Sequence, residues 1–282
     1  MSVFPKKFSQ ALNRVCQIGL FSLTLPMAVH AQSLPVITQH PIENVLKNLE
    51  QPATQQTQQK AKQIKPIAQM RIMHIDLDYV FDTDKAQQQR NIQALIQRIQ
   101  NIRPNTIFLQ AFADPDANGS ADQVYFENRY VPVRDNLFPQ LLQQIRQNTQ
   151  VQHVYAWLPV LAWELPKNQQ FNYVQHRQGG QKGYIRLSPF EQKNLEIIVD
   201  IYRDFIQHNP VDGVLYHDDV TLSDYEDSSA LARKYYQQWG VSHRIFKDLR
   251  HPKQARLAKY KTAYLDQLAA GTERFILTRK PV

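Results

Sequence analysis

The chain holds a single cysteine, Cys16, among 282 residues. It falls inside an apolar N-terminal leader, so the mature chain carries no thiol. That excludes a disulfide framework, a cysteine-based zinc site and a cysteine nucleophile. Glycine is scarce, and no Gly-rich turn follows the first expected strand, which argues against a nucleotide-binding sheet. No run of Lys and Arg is long enough for a nucleic-acid footprint. The formal net charge is +8, and without Lys6, Lys7 and Arg14 of the leader it falls to +5. No apolar run is long enough to span ~30 Å of hydrocarbon comfortably. The histidines at 153, 176, 208, 243 and 251 show no short-spaced pair of the kind zinc hydrolases use.

What is present begins with that leader. Lys6, Lys7 and Arg14 precede a short apolar core, Ile18 to Met27, and Val29-His-Ala31 offers small residues for cleavage. Residues 1–31 therefore read as a secretory signal peptide, with the periplasm as destination. Residues 32–68 read as a linker. Gln55-Gln-Thr-Gln-Gln59 is polar low complexity, with Pro35, Pro41, Pro52 and Pro66 around it. Such a composition buries too little apolar area to offset chain entropy. Only Ile42 to Leu49 has the spacing for a short amphipathic turn or two.

From residue 69 to 282 the periodicity alternates. Strands are expected at Ile72–Val80, Asn105–Ala111, Gln152–Leu158 and Val211–Tyr216, with a fifth fragment at Phe275–Leu277. Helices are expected at Thr83–Asn101, Asp135–Asn148, Ser188–His208, Ser229–Trp239 and Pro252–Ala270. Thr83 or Asp84 is placed to cap the first and Ser188 the third, with Pro189 at its first position. Crossovers of this length make parallel βα units. An open doubly wound sheet or a barrel fits. The long, polar and aromatic loops after the strands favour part of a (β/α)8 TIM-type barrel, with four to five units. So few strands leave edges unpaired, so either the domain is truncated or a second chain completes the barrel.

Two strands end in acidic pairs. Arg71-Ile-Met-His-Ile-Asp-Leu-Asp78 ends in Asp76 and Asp78, and Val211-Asp-Gly-Val-Leu-Tyr-His-Asp-Asp219 ends in His217, Asp218 and Asp219. Strand tips of α/β enzymes present catalytic groups to the ligand. Asp218 and Asp219 are the candidate catalytic carboxylates. Neighbours on a strand point opposite ways, so one of them faces the groove. By the same period, Asp76 and Asp78 share a face, fit to hold a cation or supply the second carboxylate. Trp157 reads as a sugar-stacking platform or a core aromatic. His217 reads as a sugar ligand or as the group orienting Asp219. The loop carboxylates Asp114, Asp116 and Glu164 read as binding groups or as solvated turn residues.

Four motifs carry a resemblance. Ile75-Asp-Leu-Asp-Tyr79, Thr106-Ile-Phe-Leu-Gln-Ala-Phe-Ala-Asp-Pro-Asp116, Val154-Tyr-Ala-Trp-Leu-Pro-Val-Leu-Ala162, and Asp212-Gly-Val-Leu-Tyr-His-Asp-Asp219 with Ser223-Asp-Tyr-Glu-Asp227 stand in order. Together they resemble the PgaB glycoside-hydrolase domain family over residues ~70–270. The resemblance implies a (β/α) barrel and an acidic groove. It implies binding and cleavage of partly deacetylated poly-β-1,6-N-acetylglucosamine in biofilm polysaccharide export, with outer-membrane export machinery as a partner. Asp76, Asp78, Tyr79, Asp114, Asp116, Trp157, Glu164 and His217 are then expected to contact the polymer, with no cofactor and no metal. The family's deacetylase domain and the second half of its barrel have no counterpart in this sequence. A non-catalytic polysaccharide-binding or export module is the alternative, followed by a metal-dependent N-deacetylase.

Overall fold

The computed structural model describes residues 34–49, 69–167, 170–179, 183–241, 251 and 253–278. The expected signal peptide and the second half of the expected linker lie outside the described residues. The first half of that linker folds: α1 (Pro41–Leu49) follows a short extended segment. Its Ile42, Val45 and Leu46 are buried, in contact with two later helices. Three apolar residues at helical spacing suffice here because those two helices cover them. Full burial of one such side chain contributes about 1.5–3 kcal/mol.

Four strands make one parallel sheet in the order β1-β2-β5-β6: β1 (Ile72–Ile75), β2 (Thr106–Gln110), β5 (His153–Leu158) and β6 (Gly213–Tyr216). A two-stranded antiparallel ribbon, β3 (Phe112–Ala113) with β4 (Gln123–Val124), follows β2. The helices of the crossovers are α2 (Lys85–Ile102), α3 (Leu137–Asn148) and α4 (Gln192–His208). After β6 come α5 (Ala230–Gln238) and α6 (Gln254–Thr278). Helix α2 starts at Asp84, whose carboxylate accepts from Ala86 N. Helix α5 starts at Ser229, whose hydroxyl accepts from Ala232 N. Both are side-chain caps of the kind worth about 1 kcal/mol.

The two faces of the sheet differ. Ile75, Ile107, Leu109, Val154, Ala156 and Leu158 are buried in one core with Ile92, Leu95 and Ile99 of α2, Leu137, Leu141 and Ile145 of α3, and Leu195, Ile198 and Tyr202 of α4. The opposite face carries the row His74, Phe108, Tyr155 and Gly213, aligned by the parallel register. His74 is exposed, and Phe108 and Tyr155 are half-buried. A Cβ at Gly213 would meet the Tyr155 ring at 2.7 Å, so only glycine lets that ring lie across β6. This second face is the one a closed barrel would fill with side chains. Among the described residues the sheet has four strands and is not closed. No helix of the described residues is long and apolar enough to cross a membrane.

Three expectations are corrected. Phe275–Leu277 is not a strand: Phe275 and Ile276 are buried on α6. The first strand ends at Ile75 rather than Val80, because Asp76 accepts from Asp78 N and turns Leu77–Tyr79 into a 3-10 helix. Ser188 does not cap α4, whose first residue is Gln192. Its hydroxyl donates instead to Asp227 Oδ2 at 2.7 Å, in the loop after β6.

Candidate functional site

The C-terminal ends of the four strands carry an aromatic floor. The Trp157 ring stacks on His217, with centroids 5.3 Å apart and planes 19° from parallel. His74 meets Trp157 edge-on at 4.5 Å, and Phe112 does so at 5.1 Å. Trp157 thus neither floats free as a platform nor sinks into the core. It is half-buried, at the centre of the cluster.

The two aspartates after His217 have opposite fates. Asp219 is fully buried. Its carboxylate accepts from the backbone amides of Val160, Leu161 and Ala162 at 2.5 to 3.2 Å, so it ties the turn after β5 to the turn after β6. Burial pushes its carboxyl up, and those three amides push back. With no exposed surface in this structure, it ties those two turns together. Asp218 points the other way, its side chain 80% exposed. It accepts a hydrogen bond of 2.9 Å from the Tyr184 hydroxyl. His217 Nδ1 lies 3.0 Å from Asp218 Oδ1, but it is not aligned as a hydrogen bond and makes no other among the described residues. His217 therefore stands beside Asp218 and orients nothing on Asp219.

A second group sits on the loop after β3. Asp114 accepts from the amides of Asn118 and Gly119, and Asp116 also accepts from Asn118. The Asn118 side-chain amide donates to both Asp116 and Glu164. Carboxylate oxygens of Asp114, Asp116 and Asp122 gather within 4.8 Å of one another, and this set contains no imidazole. Burial first, then the charges of Glu164, Asp116 and Asp114, push the Asp122 carboxyl up to about 6. Burial likewise raises Asp114, against the pull of its two amide donors. Asp122 and Tyr184 are participants that sequence reasoning missed. Both lie in loops without periodicity, and only their contacts distinguish them.

The tip of β1 forms a third group. Asp78 accepts from Tyr125 Oη at 2.6 Å and Arg134 Nη1 at 2.7 Å, so much of its charge is met within the protein. Gln110, at the end of β2, accepts from Leu77 N and holds this turn in place. Asp76 is half-buried, and burial is the main reason its carboxyl is raised. Tyr79 is 86% exposed. The shared face expected for Asp76 and Asp78 is absent, since the strand stops before them.

Comparison with known proteins places this geometry. The model of Hypothetical glycosyl hydrolase family 13 matches residues 74–281. The chain belongs to this family. It is 41% identical over 203 residues to the poly-beta-1,6-N-acetyl-D-glucosamine N-deacetylases of Escherichia coli strain K12 and of strain O157:H7. That match takes in 69% of this chain but 30% of each relative, so the chain spans under a third of their length. Among solved structures it resembles the PgaB (BpsB) glycoside hydrolase domain from Bordetella bronchiseptica, at 36% identity and a TM-score of 0.65. The likeness covers 76% of this chain and 64% of that one. The α/β fold with its four-stranded parallel sheet is similar to that of the PgaB glycoside hydrolase domain. All four motifs that carried the resemblance lie in or directly beside the matched span.

Proposed function

We propose that this family member binds and hydrolyses partly deacetylated poly-β-1,6-N-acetylglucosamine during the processing and export of a biofilm polysaccharide. The observation that carries the reading is Asp218, an exposed carboxylate standing at a strand tip beside an aromatic floor and an acidic loop. Glycoside cleavage needs a carboxylic acid to protonate the leaving oxygen and a carboxylate acting as nucleophile or base. Asp218 fits the second role. Deacetylated sugars carry ammonium groups, and the loop of Asp114, Asp116, Asp122 and Glu164 supplies a negative field to draw them in.

A glycosidase pair stands about 5 to 9.5 Å apart, so the partner carboxyl is sought among the groups nearest Asp218. The acidic loop is only one tyrosine ring away, since Tyr184 packs on Gly119 and bonds Asp218. Within it burial and the neighbouring carboxylates push the Asp122 carboxyl up to about 6, toward the range that suits a proton donor.

The leader reading supports export to the periplasm, with the export machinery as partner. The open second face of the sheet supports completion of the barrel by further strands. Incubating the protein with partly deacetylated polymer tests the activity, and new reducing ends are the expected result. Binding without new ends would make it a polysaccharide-binding module, and released acetate would make it a deacetylase.

A further inference from the structure

Tyr184 stands where the two halves of the site meet. Its hydroxyl donates to Asp218 at 2.9 Å. Its ring meets His217 edge-on at 5.1 Å. The same ring lies flush on Gly119, where an added Cβ would fall 2.1 Å from Tyr184 Cε1. Gly119 also has φ of +89°, a conformation that side chains disfavour. The Gly119 amide in turn donates to Asp114 at 2.7 Å. The next residue continues the tie, with Ile185 N donating to Ser120 Oγ at 2.7 Å. Asp218 itself is on the surface, where a carboxylate with one hydrogen-bond donor loosens its rotamer when that donor goes.

We infer that Tyr184 is a positioning residue, seated by Gly119, that holds the Asp218 carboxylate in one orientation toward the acidic loop. The other groups facing this pair are His217 beside Asp218, with the charges of buried Asp219 and Arg186 also felt by the phenol. None of them donates a hydrogen bond to Asp218 among the described contacts, so the phenol is the anchor. The inference rests on Asp218 being the catalytic carboxylate. Misplacing a reacting group by about 1 Å costs on the order of a hundredfold in rate.

Tyr184→Phe removes the hydroxyl and keeps the ring, while Gly119→Ala drives the ring away. Both are expected to lower kcat on partly deacetylated polymer by about ten- to a hundredfold with KM within about twofold. Side-chain NMR couplings of Asp218 supply a readout independent of turnover. One χ1 rotamer is expected in the parent protein and averaged couplings in Tyr184→Phe. Unchanged couplings, or averaged couplings with kcat unaltered, would overturn the inference. A parent protein that cleaves nothing but shows the expected change in couplings would sink the proposed hydrolysis and leave the anchoring role standing.

Discussion

Adjacent aspartates with opposite tasks make a sharp mutational contrast. In Asp219→Ala the amides of Val160, Leu161 and Ala162 lose their acceptor inside the protein. A buried donor left unsatisfied costs about 1–3 kcal/mol. Removing a desolvated charge gives part of that back, because burying a lone carboxylate is itself costly. The net expectation is a loss of about 2–4 kcal/mol, a large share of the ~5–15 kcal/mol that holds a domain together. Asp219→Asn keeps one acceptor oxygen and should lose about 1–2 kcal/mol. Asp218→Ala removes an exposed side chain and should stay within about 0.5 kcal/mol of the parent. Urea unfolding followed by tryptophan fluorescence gives all three values from midpoint and slope. The reasoning fails if Asp219→Ala costs less than about 0.5 kcal/mol, or if Asp218→Ala costs as much as Asp219→Ala.

Other outcomes follow from the same structure. The Asp122 carboxyl is raised from 3.8 to about 6 on folding, so the folded state holds its proton more tightly. Its contribution to stability is present below pH 3.8 and fades as pH rises through about 6. Asp122→Asn should therefore raise the melting temperature at pH 7.5 and change it little at pH 4; equal shifts at both pH values would refute this. Burial lowers His40 from 6.5 to about 4, where its Nε2 pairs with the Tyr264 carbonyl and its Nδ1 accepts from Ile42 N. The unfolded chain then binds the extra proton, so this part of stability is full above pH 6.5 and is lost as pH falls toward 4. Amide exchange in α1 should quicken over that window, and a pH-independent rate ratio against the α2 amides would contradict it. Trp157→Ala should weaken polymer binding about ten- to a hundredfold by deleting the centre of the aromatic floor, read by calorimetry. Unchanged affinity would place the sugar elsewhere.

Much of the fold was written in local periodicity. Leu95 and Ile99 of α2, Leu141 and Ile145 of α3, and Ile198 and Phe205 of α4 lie buried where helical spacing put them. Strands β2, β5 and β6 fell where short apolar runs stopped at polar residues. The misreadings have a common cause in distant partners. Ile42, Val45 and Leu46 looked stranded in polar low-complexity chain because the two helices they pack on, α4 and α6, lie about 150 and more than two hundred residues later. Phe275 read as strand because nothing local shows that α6 continues past Ala270. Ser188 had the chemistry of a cap, yet Asp227 offered its hydroxyl a partner. For the site, the tip of β6 was legible as an acidic pair. Which aspartate turned outward depended on three amides from another loop. Tyr184 and Asp122 had no pattern to betray them, since their roles arise only when the loops after β3, β5 and β6 meet.

The account turns on Asp218, and one comparison tests it most directly. Parent protein and Asp218→Asn are incubated with partly deacetylated poly-β-1,6-N-acetylglucosamine, and mass spectrometry counts new reducing ends while calorimetry follows binding. Cleavage by the parent, with Asp218→Asn binding the polymer but releasing at least a hundredfold fewer ends, is the predicted result. Equal cleavage by both proteins, or none by either, would contradict it.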